Sequence, residues 1–69
     1  MTEQVKSEIN THMNKVFLAM KEGLIPSDIL WQGLMEWSSK YAKRHSEDKE
    51  VKDYLIKCMG KLEKLSKEL

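Results

Sequence analysis

The sequence LIPSDILWQGLMEWSSKYA, residues 24–42, decides how this chain can fold. After a turn at Pro26 it carries large apolar side chains at helical spacing. One row recurs at steps of four, three and four residues and comprises Leu30, Leu34, Trp37 and Tyr41. This period predicts an α-helix over about residues 27–44, because three to four residues complete each helical turn. Ser27 is predicted to be the N-cap, with Pro26 at the first helical position as an alternative.

A second apolar row lies beside the first on the same predicted helix and comprises Trp31, Met35 and Ala42. On a helical wheel of about 100° per residue, the two rows together cover roughly 160°. A surface helix commonly needs an apolar stripe only slightly wider than about 100°. The middle helix is therefore predicted to have more apolar surface than its own chain can cover.

Two flanking segments show the same period. Residues 3–22 are predicted to form the first helix, with Thr2 as N-cap and Gly23 as the left-handed residue that ends it. Its apolar row comprises Val5, Ile9, Met13, Val16, Met20 and Leu24. A third helix is predicted over about residues 47–68, with Ser46 as its cap. Its apolar row comprises Val51, Leu55, Cys58, Leu62, Leu65 and Leu69.

Both predicted connections are short, so consecutive helices are expected to be antiparallel neighbours. The prediction is an all-α fold: one domain, residues 1–69, of three helices running up, down and up, packing as a homodimeric helical bundle. The third helix is predicted to be about 24 residues long, or roughly 36 Å. Its end, with Leu62, Leu65 and Leu69, is expected to project past the other helices and to be covered by a second copy.

The composition limits the partners, cofactors and cellular locations that are expected for this chain. The 69 residues include 12 basic and 11 acidic side chains, for a net charge of +1, which favours no strongly charged partner. The single cysteine, Cys58, excludes an internal disulfide and suits a reducing compartment. His12 and His45 lack partners at metal-ligand spacing, so no metal and no cofactor are predicted. No signal peptide or membrane span is visible, and a cytoplasmic location is predicted.

The leading functional hypothesis is a small protein–protein interaction module, an adaptor or regulator, that binds itself or another helical protein. Trp37 is expected inside with Leu34 and Tyr41. The predicted interface comprises Trp31, Met35, Ala42, Leu62, Leu65 and Leu69, because Trp and Met are enriched at such surfaces. The competing interpretation places both tryptophans in the core of a monomer.

A nucleic-acid-binding regulator is the alternative function, using Lys40, Lys43 and Arg44 together with the lysines of the third helix. It is the less favoured hypothesis because Arg44 is the only arginine, and arginine is the usual reader of bases. An enzyme is not predicted. Cys58, Ser38 and Ser39 have no base at a predictable distance, and they are interpreted as small packing residues.

Overall fold

A computed structural model describes all 69 residues and contains three α-helices: α1 (Glu3–Glu22), α2 (Ser27–Arg44) and α3 (Lys49–Lys67). There is no strand, and the predicted all-α three-helix fold is confirmed. The N-terminal ammonium of Met1 lies 3.2 Å from both Asp48 Oδ2 and Glu50 Oε2. The N-terminal ends of α1 and α3 are therefore adjacent, so these two helices run parallel and α2 runs antiparallel to both.

The ends of α1 form as predicted. Thr2 Oγ1 accepts a hydrogen bond of 3.2 Å from the Val5 N–H, which satisfies a free donor of the first turn. Gly23 has φ 68° and ψ 15°, and its N–H donates to the Ala19 carbonyl. This left-handed conformation is easily adopted by glycine because it has no Cβ. Leu24, predicted to extend the apolar row, instead lies beyond the helix and is 82% exposed.

The starts of α2 and α3 differ from the prediction. Pro26 is the N-cap of α2 and Ser27 is its first residue, so Ser27 is not the cap. The carbonyl of Pro26 accepts the N–H groups of both Ile29 and Leu30. In α3 the predicted cap at Ser46 is wrong. Asp48 Oδ1 accepts the Glu50 N–H at 3.1 Å, and the helix begins only at Lys49.

With this later start and an end at Lys67, α3 has 19 residues, one fewer than α1. At 1.5 Å per residue its length is about 28 Å rather than the predicted 36 Å. The expected projection of α3 beyond its neighbours therefore does not follow from its length.

The core is small. Each helix contributes three of the nine buried residues. The buried set is Ile9, Met13 and Val16 from α1, Leu34, Ser38 and Tyr41 from α2, and Val51, Leu55 and Leu62 from α3. Because so few side chains are fully covered, much apolar surface remains at the grooves between the helices and at one end of the bundle.

Candidate interaction surface

Aromatic rings close the seam between α1 and α2. The His12 ring stacks on Trp37 with centroids 3.8 Å apart and planes 11° apart. Trp37 stacks in turn on Tyr41 at 4.9 Å, and Tyr41 meets His45 at 4.6 Å. We call these four rings the aromatic ladder. It places Trp37 against Tyr41 as expected, but half-buried at the edge of the core and not within it.

Two groups of the ladder have shifted pKa values. Burial, followed by a hydrogen bond to Glu8, raises the pKa of Tyr41 to about 12. The Tyr41 hydroxyl therefore stays protonated at neutral pH and donates to Glu8 Oε2 at 2.7 Å. Burial, followed by the nearby charge of Lys15, lowers the pKa of His12. Both pKa shifts follow from packing and from neighbouring charges. The stacked rings and the Tyr41–Glu8 hydrogen bond hold α1 against α2.

The groove between α2 and α3 is the second seam of α2. Its lower part, at the end of the bundle where α2 ends and α3 begins, is lined by Ala42 and Lys43 from α2 and by Lys52 and Asp53 from α3. These residues mark the sides of the two helices that border the groove. Seven residues complete two helical turns, so Met35 lies on the same side of α2 as Ala42.

The upper part of this groove is apolar. Trp31 precedes Met35 by one turn, and Ile56 and Met59 follow Lys52 by one and two turns. Met35 is 60% exposed and Ile56 is 59% exposed, whereas Trp31 and Met59 are half-buried against the core. We define the α2–α3 face as Trp31, Met35, Ala42, Ile56 and Met59.

The structure divides the six predicted interface residues between different places. Trp31, Met35 and Ala42 lie together on the α2–α3 face. Leu62 is only 3% exposed and belongs to the core, so it is not available to a partner. Leu65 lines the opposite groove, between α1 and α3, and Leu69 lies at the C-terminus, 62% exposed.

Sequence reasoning missed part of the exposed apolar surface. Ile56 falls outside the seven-residue row of α3, yet its spacing of three from Met59 places both on one side of the helix. Ile25 and Ile29, at the turn before α2 and in its first turn, are 44% and 55% exposed. Together with Leu24 they form a cluster of apolar residues in sequence that does not follow helical spacing.

The total surface is large for the mass of the chain. Its solvent-accessible area is 5294 Å², whereas a folded monomer of 8.1 kDa is expected to expose about 4,500 Å². The excess of about 800 Å² is spread over the whole surface of an elongated molecule of 36 × 18 × 17 Å.

The basic residues near the end of α2 and the start of α3 do not form a separate stripe. Lys43, Lys49 and Lys52 line the same lower groove as Asp48 and Asp53. The guanidinium of Arg44 lies 5.3 Å from the centre of the Tyr41 ring, where it packs on the ladder. Lys43 and Arg44, which the nucleic-acid hypothesis invokes, are therefore mixed with acids or packed on a ring.

No group of three or more His, Cys, Asp or Glu side chains is placed to hold a metal ion. None of the three helices combines the length and the apolar character needed to cross a membrane. Comparisons with models of protein families, with curated proteins and with solved structures find no match to this chain.

Proposed function

We propose that this chain is a small cytoplasmic protein–protein interaction module, an adaptor or regulator, that acts as a homodimer through the α2–α3 face. The observation that carries the proposal is the exposure of Met35 and Ile56, at 60% and 59%, beside the half-buried Trp31. Trp and Met are enriched in the cores of protein interfaces, where a large or flexible side chain fills a partner's pocket. The cytoplasm is proposed because the only cysteine, Cys58, is a free thiol.

The amount of exposed surface is consistent with a partner. The total surface exceeds that expected for a monomer of this mass by about 800 Å², and Met35 and Ile56 are among the exposed apolar side chains. The net charge of +1 opposes self-association only weakly.

The charges below the face favour a second copy over a foreign partner. The lower groove carries both signs, with Lys43 and Lys52 beside Asp48 and Asp53. A two-fold interface places one patch against an identical patch, so it requires self-complementarity. A patch with both signs can meet that requirement, because each copy offers cations to the other copy's carboxylates.

The test is sedimentation equilibrium at micromolar concentration. Wild-type protein is expected to sediment as a dimer. Met35→Glu and Ile56→Glu are each expected to yield monomer, because a carboxylate would be buried without a partner. Leu18→Glu is the matched control. Leu18 is 55% exposed and lies on the side of α1 opposite Ile9, so the variant should remain dimeric.

The proposal fails if the wild type is monomeric throughout the micromolar range. It also fails if Leu18→Glu dissociates the dimer as fully as Ile56→Glu does. Iodide quenching in Trp37→Phe, where Trp31 is the only tryptophan, gives a second readout: quenching of Trp31 should decrease as the protein concentration rises.

A further inference from the structure

A second groove lies on the other side of α3, between α3 and α1, and has a volume of about 410 Å³. This volume is in the range of small-molecule sites, which run from about 300 to 1,000 Å³. It is separate from the α2–α3 face, because it is lined by α1 and by the side of α3 that carries Tyr54 and Leu65.

The lower half of this groove is polar and offers hydrogen-bond donors. The Tyr54 hydroxyl donates to Asn10 Oδ1 at 2.9 Å, and Cys58 Sγ lies 3.9 Å from the same oxygen. The acceptor atom of Asn10 is therefore already engaged, and its amide N–H groups remain available. Lys6 lies beside them, with Nζ 5.8 Å from the centre of the Tyr54 ring.

Every charged residue that lines the groove is a cation. Lys6, Lys57 and Lys61 belong to its lining, and none of them forms an ion pair within the chain. No aspartate or glutamate lines it, although the chain has 11 acidic residues. The lower α2–α3 groove, in contrast, mixes both signs.

The upper half of the groove is mainly apolar. Its walls are Met13 and Phe17 from α1 and Leu62 and Leu65 from α3, with the polar Asn14 and Lys61 beside Met13 and Leu62 at its middle. From Lys6 to Phe17 the groove follows α1 for about 16 Å at 1.5 Å per residue. A long groove with cations and donors along its lower and middle parts and apolar walls at its top complements an amphiphile with one chain.

We propose that the α1–α3 groove binds a single-chain anionic amphiphile of the fatty-acid class. Its carboxylate lies near Lys6, Lys57 and the Asn10 amide, and its alkyl chain runs upward along Phe17 and Leu65. Charge-assisted hydrogen bonds from the lysines hold the carboxylate. The alkyl chain gains affinity by covering apolar groove walls that water otherwise contacts.

The test is calorimetric titration with sodium dodecanoate below its micelle concentration, alongside dodecanol and acetate. Dodecanoate is expected to bind with an affinity at least about tenfold above that of dodecanol or acetate. Dodecanol lacks the carboxylate, and acetate lacks the alkyl chain. The NMR signals of the Asn10 side-chain amide should shift on titration. Lys6→Gln/Lys57→Gln should weaken dodecanoate binding by about tenfold or more.

Lys43→Gln is the matched control, since Lys43 lies on the other groove, and it should bind dodecanoate as the wild type does. The proposal is overturned if dodecanoate does not bind, if dodecanol binds equally well, or if Lys43→Gln loses as much affinity as the double variant. Binding to phosphatidylglycerol vesicles without binding to free dodecanoate would also overturn it and would indicate a membrane lipid as the source of the anion. Met35→Glu should still bind dodecanoate, so this outcome is independent of dimerisation.

Discussion

The two sides of α2 contain one tryptophan each, and both are half-buried, but their neighbours differ. On the side facing α1, Trp37 lies between the His12 and Tyr41 rings, with centroids 3.8 and 4.9 Å away. On the side facing α3, Trp31 is half-buried, but Met35 one turn later is 60% exposed. The same residue type is thus part of a closed seam in one case and of an open face in the other.

The difference arises from what the neighbouring helix supplies. α1 presents a flat ring, His12, and a carboxylate acceptor, Glu8, to the α2 side that carries Trp37 and Tyr41. The aromatic residue of α3, Tyr54, faces α1 and hydrogen-bonds to Asn10. No ring of α3 is therefore available to cover Trp31. A helix with two apolar sides therefore offers an interaction surface only on the side that the neighbouring helix does not cover with its own side chains.

The largest expected effect compares the two tryptophans directly. Trp37→Ala should lower the free energy of unfolding by about 3 kcal/mol, because the variant loses ring stacking on both sides and the apolar contacts of the indole at the edge of the core. Trp31→Ala should cost about 1 kcal/mol in the monomer, since no aromatic ring stacks on Trp31. Urea denaturation at low protein concentration measures both values. Equal losses in the free energy of unfolding would show that the two tryptophans contribute equally to stability, which contradicts this comparison.

The next effect concerns the polar contact of the closed seam. Tyr41→Phe should destabilise the protein by about 1.5 kcal/mol, since it removes a part-buried hydrogen bond to the Glu8 carboxylate and keeps the ring. Tyr54→Phe is the comparison on the α1–α3 side. Its hydroxyl bonds to Asn10 at an exposed position, so the loss should be smaller. A larger loss for Tyr54→Phe, again measured in urea, would contradict this ranking of the seams.

A smaller effect of opposite sign is expected at Ser38. Its hydroxyl oxygen is buried and has no hydrogen-bond partner. Ser38→Ala removes this unsatisfied group and introduces a better helix former, so it should stabilise the protein by about 1 kcal/mol. Ser39→Ala, at the exposed neighbouring position, controls for helix propensity alone. If both variants gain equally in thermal unfolding, the buried hydroxyl carries no penalty.

The smallest effect is the pH dependence of the ladder. In the folded state the pKa of His12 is lowered from its ordinary value of 6.5. As the pH falls, His12 is therefore protonated in the unfolded chain at a higher pH than in the folded chain. Stability should therefore decrease as the pH drops through 6.5 and level off below the folded-state pKa of His12. His12→Phe keeps a flat ring on Trp37 and should remove this part of the dependence. Urea midpoints from pH 8 to about pH 5 test it, and parallel curves for the two proteins would exclude His12 as the source.

The sequence predicts the helices well because their signals are local. The apolar rows, the Thr2 cap and the left-handed Gly23 each depend on residues within one or two turns of each other. The start of α3 was harder to predict, because Ser46 and Asp48 are both good caps. The Asp48 carboxylate accepts the Glu50 N–H and also contacts the ammonium of Met1, at the start of the chain. That second contact is absent from any local pattern.

The candidate site was only partly predictable. Trp31, Met35 and Ala42 share a face because helical spacing determines which side of α2 each occupies. Leu62 and Leu65 also share a row, yet one is 3% and the other 44% exposed. The row alone does not show where α1 and α2 leave α3 uncovered. The α1–α3 groove was missed because its residues come from two helices that no sequence spacing connects.

The sequence by itself determined three amphipathic helices, their order and a middle helix with two apolar sides, because backbone geometry converts residue spacing into direction around a helix. The tertiary structure decided which side of α2 is covered by aromatic rings and which apolar residues remain in contact with water. It also decided which groove is lined by lysines without acidic residues. These properties depend on how each helix is rotated against its neighbours, and that rotation is set by packing between residues far apart in the chain.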